Sequence, residues 1–311
     1  MNLNHVAKRL IQLVPTLFFV LVVIFVLVRL LPGDPTSAML GDKATDADVA
    51  RLNAQLGLDR SIPMQFLLFV ERIAQGDLGT SIHLKVPVMR LILERMPVTL
   101  ALTGFAALLA LLMAVPLAFA AAMRRGRAAD TAIRGAFQVG LSMPIFYLGL
   151  VLLTVFAAGL RWFPVGGYGD DWADRAWHLF LPALTLALSL SAVLMRNLRA
   201  SIIEVLGAEY VDFARSKGLA PRLVLGRHVL RNALISTVTL FGLSVGTLIG
   251  GAVITETVFA IPGAGRLMID SIYGRDYPVV QGLTLAMAVL VSLVFLATDL
   301  VQAALDPRVK S

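Results

Sequence analysis

Six stretches of this chain are apolar over about 20 residues, the length a helix needs to cross a bilayer. They lie at 10–31, 97–123, 136–160, 179–198, 233–255 and 283–305. Between them polarity returns in short charged segments, with one long polar insert after the first stretch. This alternation predicts an all-α integral membrane protein with six transmembrane helices. The first stretch is longer than the apolar core of a secretory leader and no A-x-A site follows it, so it reads as an uncleaved span.

The insert, residues 32–96, opens on the turn cluster Pro32-Gly33-Asp34-Pro35. Residues 46–56, 62–74 and 87–95 then carry apolar positions at helical spacing, the last leading into the second span. The chain therefore divides into a tip and first span (1–31), a small helical extracytoplasmic segment (32–96) and a transmembrane domain (97–311) that contains a polar loop at 201–231.

Charge sets the orientation. With the N-terminus inside, the inner segments hold fifteen Lys and Arg, among them Arg124, Arg125, Arg127 and Arg134, while the two short outer loops hold four. Basic residues favour the cytoplasmic side of short loops, so both termini are placed in the cytoplasm. Composition agrees with a membrane protein: 58% of residues are hydrophobic and 15% charged, against about 45–50% and about 25% in soluble domains. The net charge of +7 is distributed as topology signals, not as a nucleic-acid footprint. The chain has no cysteine, which excludes disulfides, thiol catalysis and thiolate metal sites. His5, His83, His178 and His228 are scattered, without the spacing of a metal site.

Catalytic motifs are missing. No Gly-Lys dipeptide occurs, so there is no P-loop for nucleotide, and H-E-x-x-H is absent. Ser142, Ser189 and Ser191 lie in spans with no His or Lys at similar depth, which argues against an intramembrane enzyme. Asp299 in the sixth span and Glu256 near the end of the fifth are the isolated acids there. An ion-driven secondary carrier places paired ionisable groups at mid-membrane. Asp299 reads instead as a structural partner or an inner-interface residue, and no role is assigned to it or to Glu256.

The polar loop is the most informative segment. Residues 201–217 have helical spacing and include Glu209, Tyr210, Asp212, Phe213, Ala214, Arg215 and Lys217. Gly218 stands where a C′ glycine ends a helix, and Pro221 where an N1 proline opens the next. The result is helix, sharp turn, basic helix on the cytoplasmic face. Two uses fit this geometry: a surface helix anchored to anionic lipid, or a handle gripped by a cytoplasmic partner. In the fifth span Gly242, Gly246 and Gly250 repeat every four residues, which permits close helix packing. That stripe reads either as generic packing or as a pathway-lining face against a second subunit.

Asp212-Phe213-Ala214-Arg215-Ser216-Lys217-Gly218 resembles the E-A-A-x-x-x-G loop of ABC importer permeases. Its surroundings resemble the oligopeptide/dipeptide/nickel branch of that family: Leu31-Pro32-Gly33-Asp34-Pro35, Leu56-Gly57-Leu58-Asp59, Gly76-Asp77-Leu78-Gly79-Thr80-Ser81, Phe163-Pro164-Val165-Gly166-Gly167-Tyr168, Leu181-Pro182-Ala183-Leu184-Thr185, Arg227-His228-Val229-Leu230-Arg231-Asn232-Ala233, Glu256-Thr257-Val258-Phe259, Pro262-Gly263-Ala264-Gly265-Arg266, Arg275-Asp276-Tyr277-Pro278 and Leu305-Asp306-Pro307-Arg308. The ordered set spans nearly the whole chain. Two positions depart from the pattern: Asp212-Phe213 replaces Glu-Ala, and Ser236 stands where many members have proline.

The resemblance implies a type I (MetI-like) importer permease fold in a bacterial inner membrane. It implies a non-enzymatic subunit forming half of the path for di- or oligopeptides, with nickel chelates, glutathione, opines or sugars as alternatives. Implied partners are a second homologous permease, two cytoplasmic ATPases that bind ATP and Mg, an extracytoplasmic solute-binding protein and membrane lipid, with no cofactor in this chain. The short helix before Gly218 would then dock in the ATPase, with Tyr210 and Phe213 as apolar anchors and Asp212, Arg215 and Lys217 as polar contacts.

Overall fold

The computed structural model of the chain describes residues 3–30, 45 and 59–305. Helices run α1 (Leu3–Leu30), α2 (Ile62–Ala74), α3 (Val88–Met123), α4 (Ala128–Ser142), α5 (Ile145–Leu152, continued by a π-helical turn, Leu153–Gly159), α6 (Trp172–Leu206), α7 (Glu209–Ser216), α8 (Pro221–Val258), α9 (Ala264–Tyr273) and α10 (Tyr277–Leu305). The helix expected at 62–74 is α2, and the one expected at 87–95 is the first part of α3 without a break. The turn cluster at 32–35 and the helix expected at 46–56 lie outside the described residues.

α3 and α6 form the axis of the bundle, the most extensive helix–helix contact among the described residues. Along α3 every fourth residue from Val98 through Leu102, Ala106, Ala110, Ala114 and Ala118 to Ala122 is buried. That ridge is mostly alanine. In lipid no hydrophobic force draws helices together, so small side chains that let backbones approach provide the packing. α6 answers with Ala183, Leu186, Ala187, Leu190, Leu194 and Leu198, all buried. Around this pair, α8 packs on α6 and α10, and α1 packs on α10.

Among the described residues four helices, α3, α6, α8 and α10, are each long and apolar enough to span a membrane. The third expected span, 136–160, is not a single rod: α4 and α5 meet at 106° and qualify only as a bent pair. The break falls at Met143, extended at φ −87° and ψ 133°, as the residue before a proline prefers, and Pro144 then caps α5. In α1 the described apolar stretch is Leu13–Val26.

The helix expected over 201–217 is also divided. Residues up to Leu206 complete α6, Gly207 ends it, and Ala208, in extended conformation, opens α7.

Candidate functional site

α7 carries the polar loop's chemistry. Glu209 and Asp212 stand in its first turn and Arg215 in its last, each sign matching the helix dipole. Gly218 has φ +74°, and its N–H donates to the Arg215 carbonyl (2.9 Å) while the Leu219 N–H reaches the Ala214 carbonyl (3.4 Å). This is a Schellman closure, which places its C′ residue in the left-handed region. Pro221 opens α8 at its first position, so both punctuation marks stand where the spacing placed them. α8 begins with a π-helical stretch, Val224–Leu230.

The two faces of α7 differ. Val211 and Ala214 are buried and join the core with Val224 and Val229. Ala214 therefore holds the helix to the chain and presents nothing outward. The opposite face is free: Phe213 is 61% and Tyr210 44% exposed. Lys217 Nζ sits 4.5 Å above the Phe213 ring, a cation–π contact, and Arg215 pairs with Asp212 at 3.2 Å. The Tyr210 hydroxyl accepts from Asn232 Nδ2 at 3.0 Å, which ties the helix to α8. The result is an apolar–aromatic platform rimmed by both charges on a helix rigidly seated beneath, the composition of an interface hot spot.

The helix register carries this platform inward. Asn197 at the end of α6 donates to Ser236 and Thr237 on α8, each at 3.4 Å, and Ser236 makes a 3.5 Å contact with Ser201. Ser236, the departure from the proline pattern, thus belongs to a polar seam that joins the two helices entering and leaving α7. α8 runs through this region without a break.

The glycine stripe separates into two roles. A Cβ on Gly242 would overlap the Thr298 side chain of α10, and one on Gly246 would lie 2.9 Å from Phe295 Cζ. Both glycines let α8 and α10 close within this chain. Gly250 has nothing within 4 Å of such a Cβ and is exposed.

At the end of the bundle opposite α7, two buried acids are structural, and Glu256, left without a role above, is one of them. Glu256 is fully buried. It accepts from Thr99 Oγ1 (2.6 Å) and from the Arg266 N–H (2.9 Å), and the Ala264 N–H donates to Thr99 Oγ1 (2.9 Å). The carboxylate thereby caps α9 and binds it to α3 and α8. A Cβ on Gly263 would overlap that carboxylate, which explains glycine in the Pro-Gly-Ala-Gly run. Asp276, also buried, accepts from Ser81 Oγ (2.5 Å) and the Ile82 and His83 N–H groups (3.1 and 3.3 Å). The Gly76–Ser81 and Arg275–Pro278 motifs, almost 200 residues apart, are one contact.

The ion pair that sequence reasoning missed lies at the α7 end. Asp130, at the start of α4, is 2% exposed. Arg199 of α6 grips it with Nε (2.7 Å) and Nη2 (2.6 Å). The Gly126 N–H donates at 3.0 Å, and Arg134 stands 3.6 Å away. Asp130 stands in the first turn of α4, next to the arginine-rich turn at 124–127 and ahead of the apolar stretch at 136–160. The Arg199 hydrogen bonds and the Gly126 N–H hold its carboxyl down to about 2. A single acid among four arginines was the available signal.

The description "Binding-protein-dependent transport system inner membrane component" matches residues 114–311, and its N-terminal counterpart matches residues 2–103. The chain is 40% identical to a di/tripeptide transport system permease protein, DppB, of Pseudomonas aeruginosa, with 99% of each chain covered. It is 39% identical, again over 99% of each, to the glutathione transport system permease protein GsiC of Salmonella choleraesuis. A probable peptide ABC transporter permease protein of Sinorhizobium fredii is 36% identical over 98% of this chain and 99% of its own. Among solved structures, the inward-facing methionine ABC transporter MetNI superposes with a TM-score of 0.59 at 18% identity, over 70% of this chain and 97% of that one; it supports the fold.

Proposed function

Because this chain belongs to the family of inner membrane components of binding-protein-dependent transport systems, we propose that it forms half of the path by which an ATP-driven importer takes up di- or oligopeptides. The class of solute rests on the relatives, which are named for di/tripeptides and glutathione. The observation that carries the coupling role is α7, whose buried Val211 and Ala214 seat a helix with Tyr210 and Phe213 outward.

In this reading both termini are cytoplasmic and the chain crosses the membrane six times, counting α1 and the bent α4–α5 pair. The segment at 32–96 faces outward and receives a solute-binding protein. A second homologous permease completes the path. Two ATPases bind and hydrolyse ATP below. Closure of the ATPases pushes α7 as a unit, and the seam Asn197–Ser236–Thr237 passes the movement to α6 and α8. The helix before Gly218 transmits force because the Schellman turn fixes its angle to α8.

Reconstitution in vesicles tests the proposal. With its second permease, ATPases and binding protein, the chain should support accumulation of labelled di- and tripeptides that requires ATP and the binding protein. The chain alone should hydrolyse no ATP. Uptake driven by an ion gradient without ATP would overturn the reading in favour of a secondary carrier.

A further inference from the structure

We propose that the cavity between α4 and α6 at the α7 end of the bundle binds a phosphate-bearing anion. The cavity measures about 440 Å³, and Arg134, Gln138, Arg196 and Arg199 line it above a floor of Phe137 and Met195. This volume accommodates a phosphoglycerol headgroup or a free phosphate with its hydration.

The charges around it do not balance. Asp130 engages Arg199 through both oxygens and stands within 3.6 Å of Arg134. One carboxylate is thus shared by two guanidinium groups. Arg196 donates to the neutral Gln138 Oε1 at 2.8 Å, and among the described residues it has no carboxylate partner. A guanidinium is a planar fork suited to two phosphate oxygens at once. Three such groups line one cavity against a single carboxylate, and this surplus of positive charge matches a phosphate better than a carboxylate.

The depth is that of phospholipid headgroups. At about 1.5 Å per residue, Arg196 lies about 28 Å along α6 from Trp177, and this approximates the hydrocarbon thickness of a bilayer. Tryptophan marks one interface, so Arg196 and Arg199 stand at the other. Just before α4 come Arg124, Arg125 and Arg127, a basic run that attracts anionic lipid, and basic pockets between spans on the cytoplasmic side are recognised headgroup sites. Val139, 58% exposed on α4, offers apolar surface for the start of an acyl chain. A lipid headgroup and a soluble phosphate share the chemistry that the cavity selects, and the two sources differ in how they are displaced.

The test uses the intact transporter, purified through a tag on this chain from nanodiscs of phosphatidylethanolamine and phosphatidylglycerol. Native mass spectrometry counts retained phosphatidylglycerol, with and without inorganic phosphate. Arg134→Gln combined with Arg196→Gln leaves the Asp130–Arg199 pair in place. The expected loss of retained lipid is about fivefold per basic group, hence about twenty-fivefold for the pair. Loss in the variant without displacement by phosphate assigns the site to lipid, and displacement by millimolar phosphate assigns it to the soluble anion. Equal retention in wild type and variant, with no phosphate-dependent shift in melting of either, overturns the proposal. Where the double variant melts below wild type, Arg196→Gln alone is read against the same two outcomes, with about fivefold expected.

Discussion

Asp130 and Arg199 form a two-point ion pair, Oδ1 to Nε at 2.7 Å and Oδ2 to Nη2 at 2.6 Å, that fastens the first turn of α4 to α6. The fork geometry matters as much as the charge, because lysine offers a point charge and one direction. Asp130→Asn should lower the melting temperature of the detergent-solubilised permease, and Arg199→Lys should lower it less. The folded carboxyl titrates near 2, against about 3.9 for a free aspartate. A depressed value means that the pair stabilises above the unfolded pKa and that this contribution fades as pH falls through about 4 toward 2. Melting curves of wild type and Asp130→Asn should therefore differ at neutral pH and converge in acid. A difference that is unchanged at pH 2 would contradict the assignment.

Gly218 holds φ +74°, yet a Cβ there meets nothing within 4 Å. The residue is required by backbone angle alone, so substitutions should rank by their tolerance of the left-handed region and not by size. Asparagine visits that region readily and a β-branched residue does not. The penalty for a Cβ is about 1–2 kcal/mol, enough to reorient α7 without unfolding the spans. Gly218→Asn should transport nearly as wild type, whereas Gly218→Val should insert normally and lose transport. Peptide uptake in cells, normalised to membrane-embedded protein, decides the matter; equal uptake in the two variants would remove the angle from the mechanism.

The chain has no native cysteine, so single cysteines report without background. Phe213→Cys stands on the free face of α7 and Ala214→Cys, at a position 6% exposed, on the buried one. Adjacent residues should thus behave oppositely. A short crosslinker should join Phe213→Cys to an ATPase subunit and leave Ala214→Cys unreacted. If both react alike, α7 is not seated as described. If Phe213→Cys reacts only with lipid-phase reagents, the helix is a membrane anchor.

Much of this architecture was legible in the chain. Apolar length located the cores of α3, α6, α8 and α10, because a lipid solvent demands it of every span. Gly218 and Pro221 were readable because each residue's covalent geometry dictates its own place. What stayed hidden depended on partners distant in sequence. The apolar window over 136–160 ignored Pro144, whose ring bends the pair by 106°. The alanine ridge of α3 takes its meaning only from α6 lying against it. Glu256 and Asp276 are charges whose meaning lies in the N–H groups of segments that arrive only on folding. Within the handle, spacing did not separate Ala214 from its exposed neighbours, since the inward face is chosen by Val224 and Val229.

The glycines of α8 offer a last discrimination, because one stripe serves two surfaces. Gly242 has no room: a Cβ would overlap Thr298, and crowding of this kind costs about 1–3 kcal/mol. Gly242→Ala should therefore lower the melting temperature of the chain by itself, and Thr298→Ser, which removes the methyl from the contact, should restore part of the loss. The two changes couple because they touch. Gly250 faces open space in this chain, so Gly250→Leu should leave that melting temperature unchanged. If this face meets the second permease, the same substitution should reduce co-purification of that subunit. The two glycines would then separate by assay: Gly242→Ala fails alone, and Gly250→Leu fails only in company. Destabilisation of the isolated chain by Gly250→Leu would instead mean that the stripe has one role throughout.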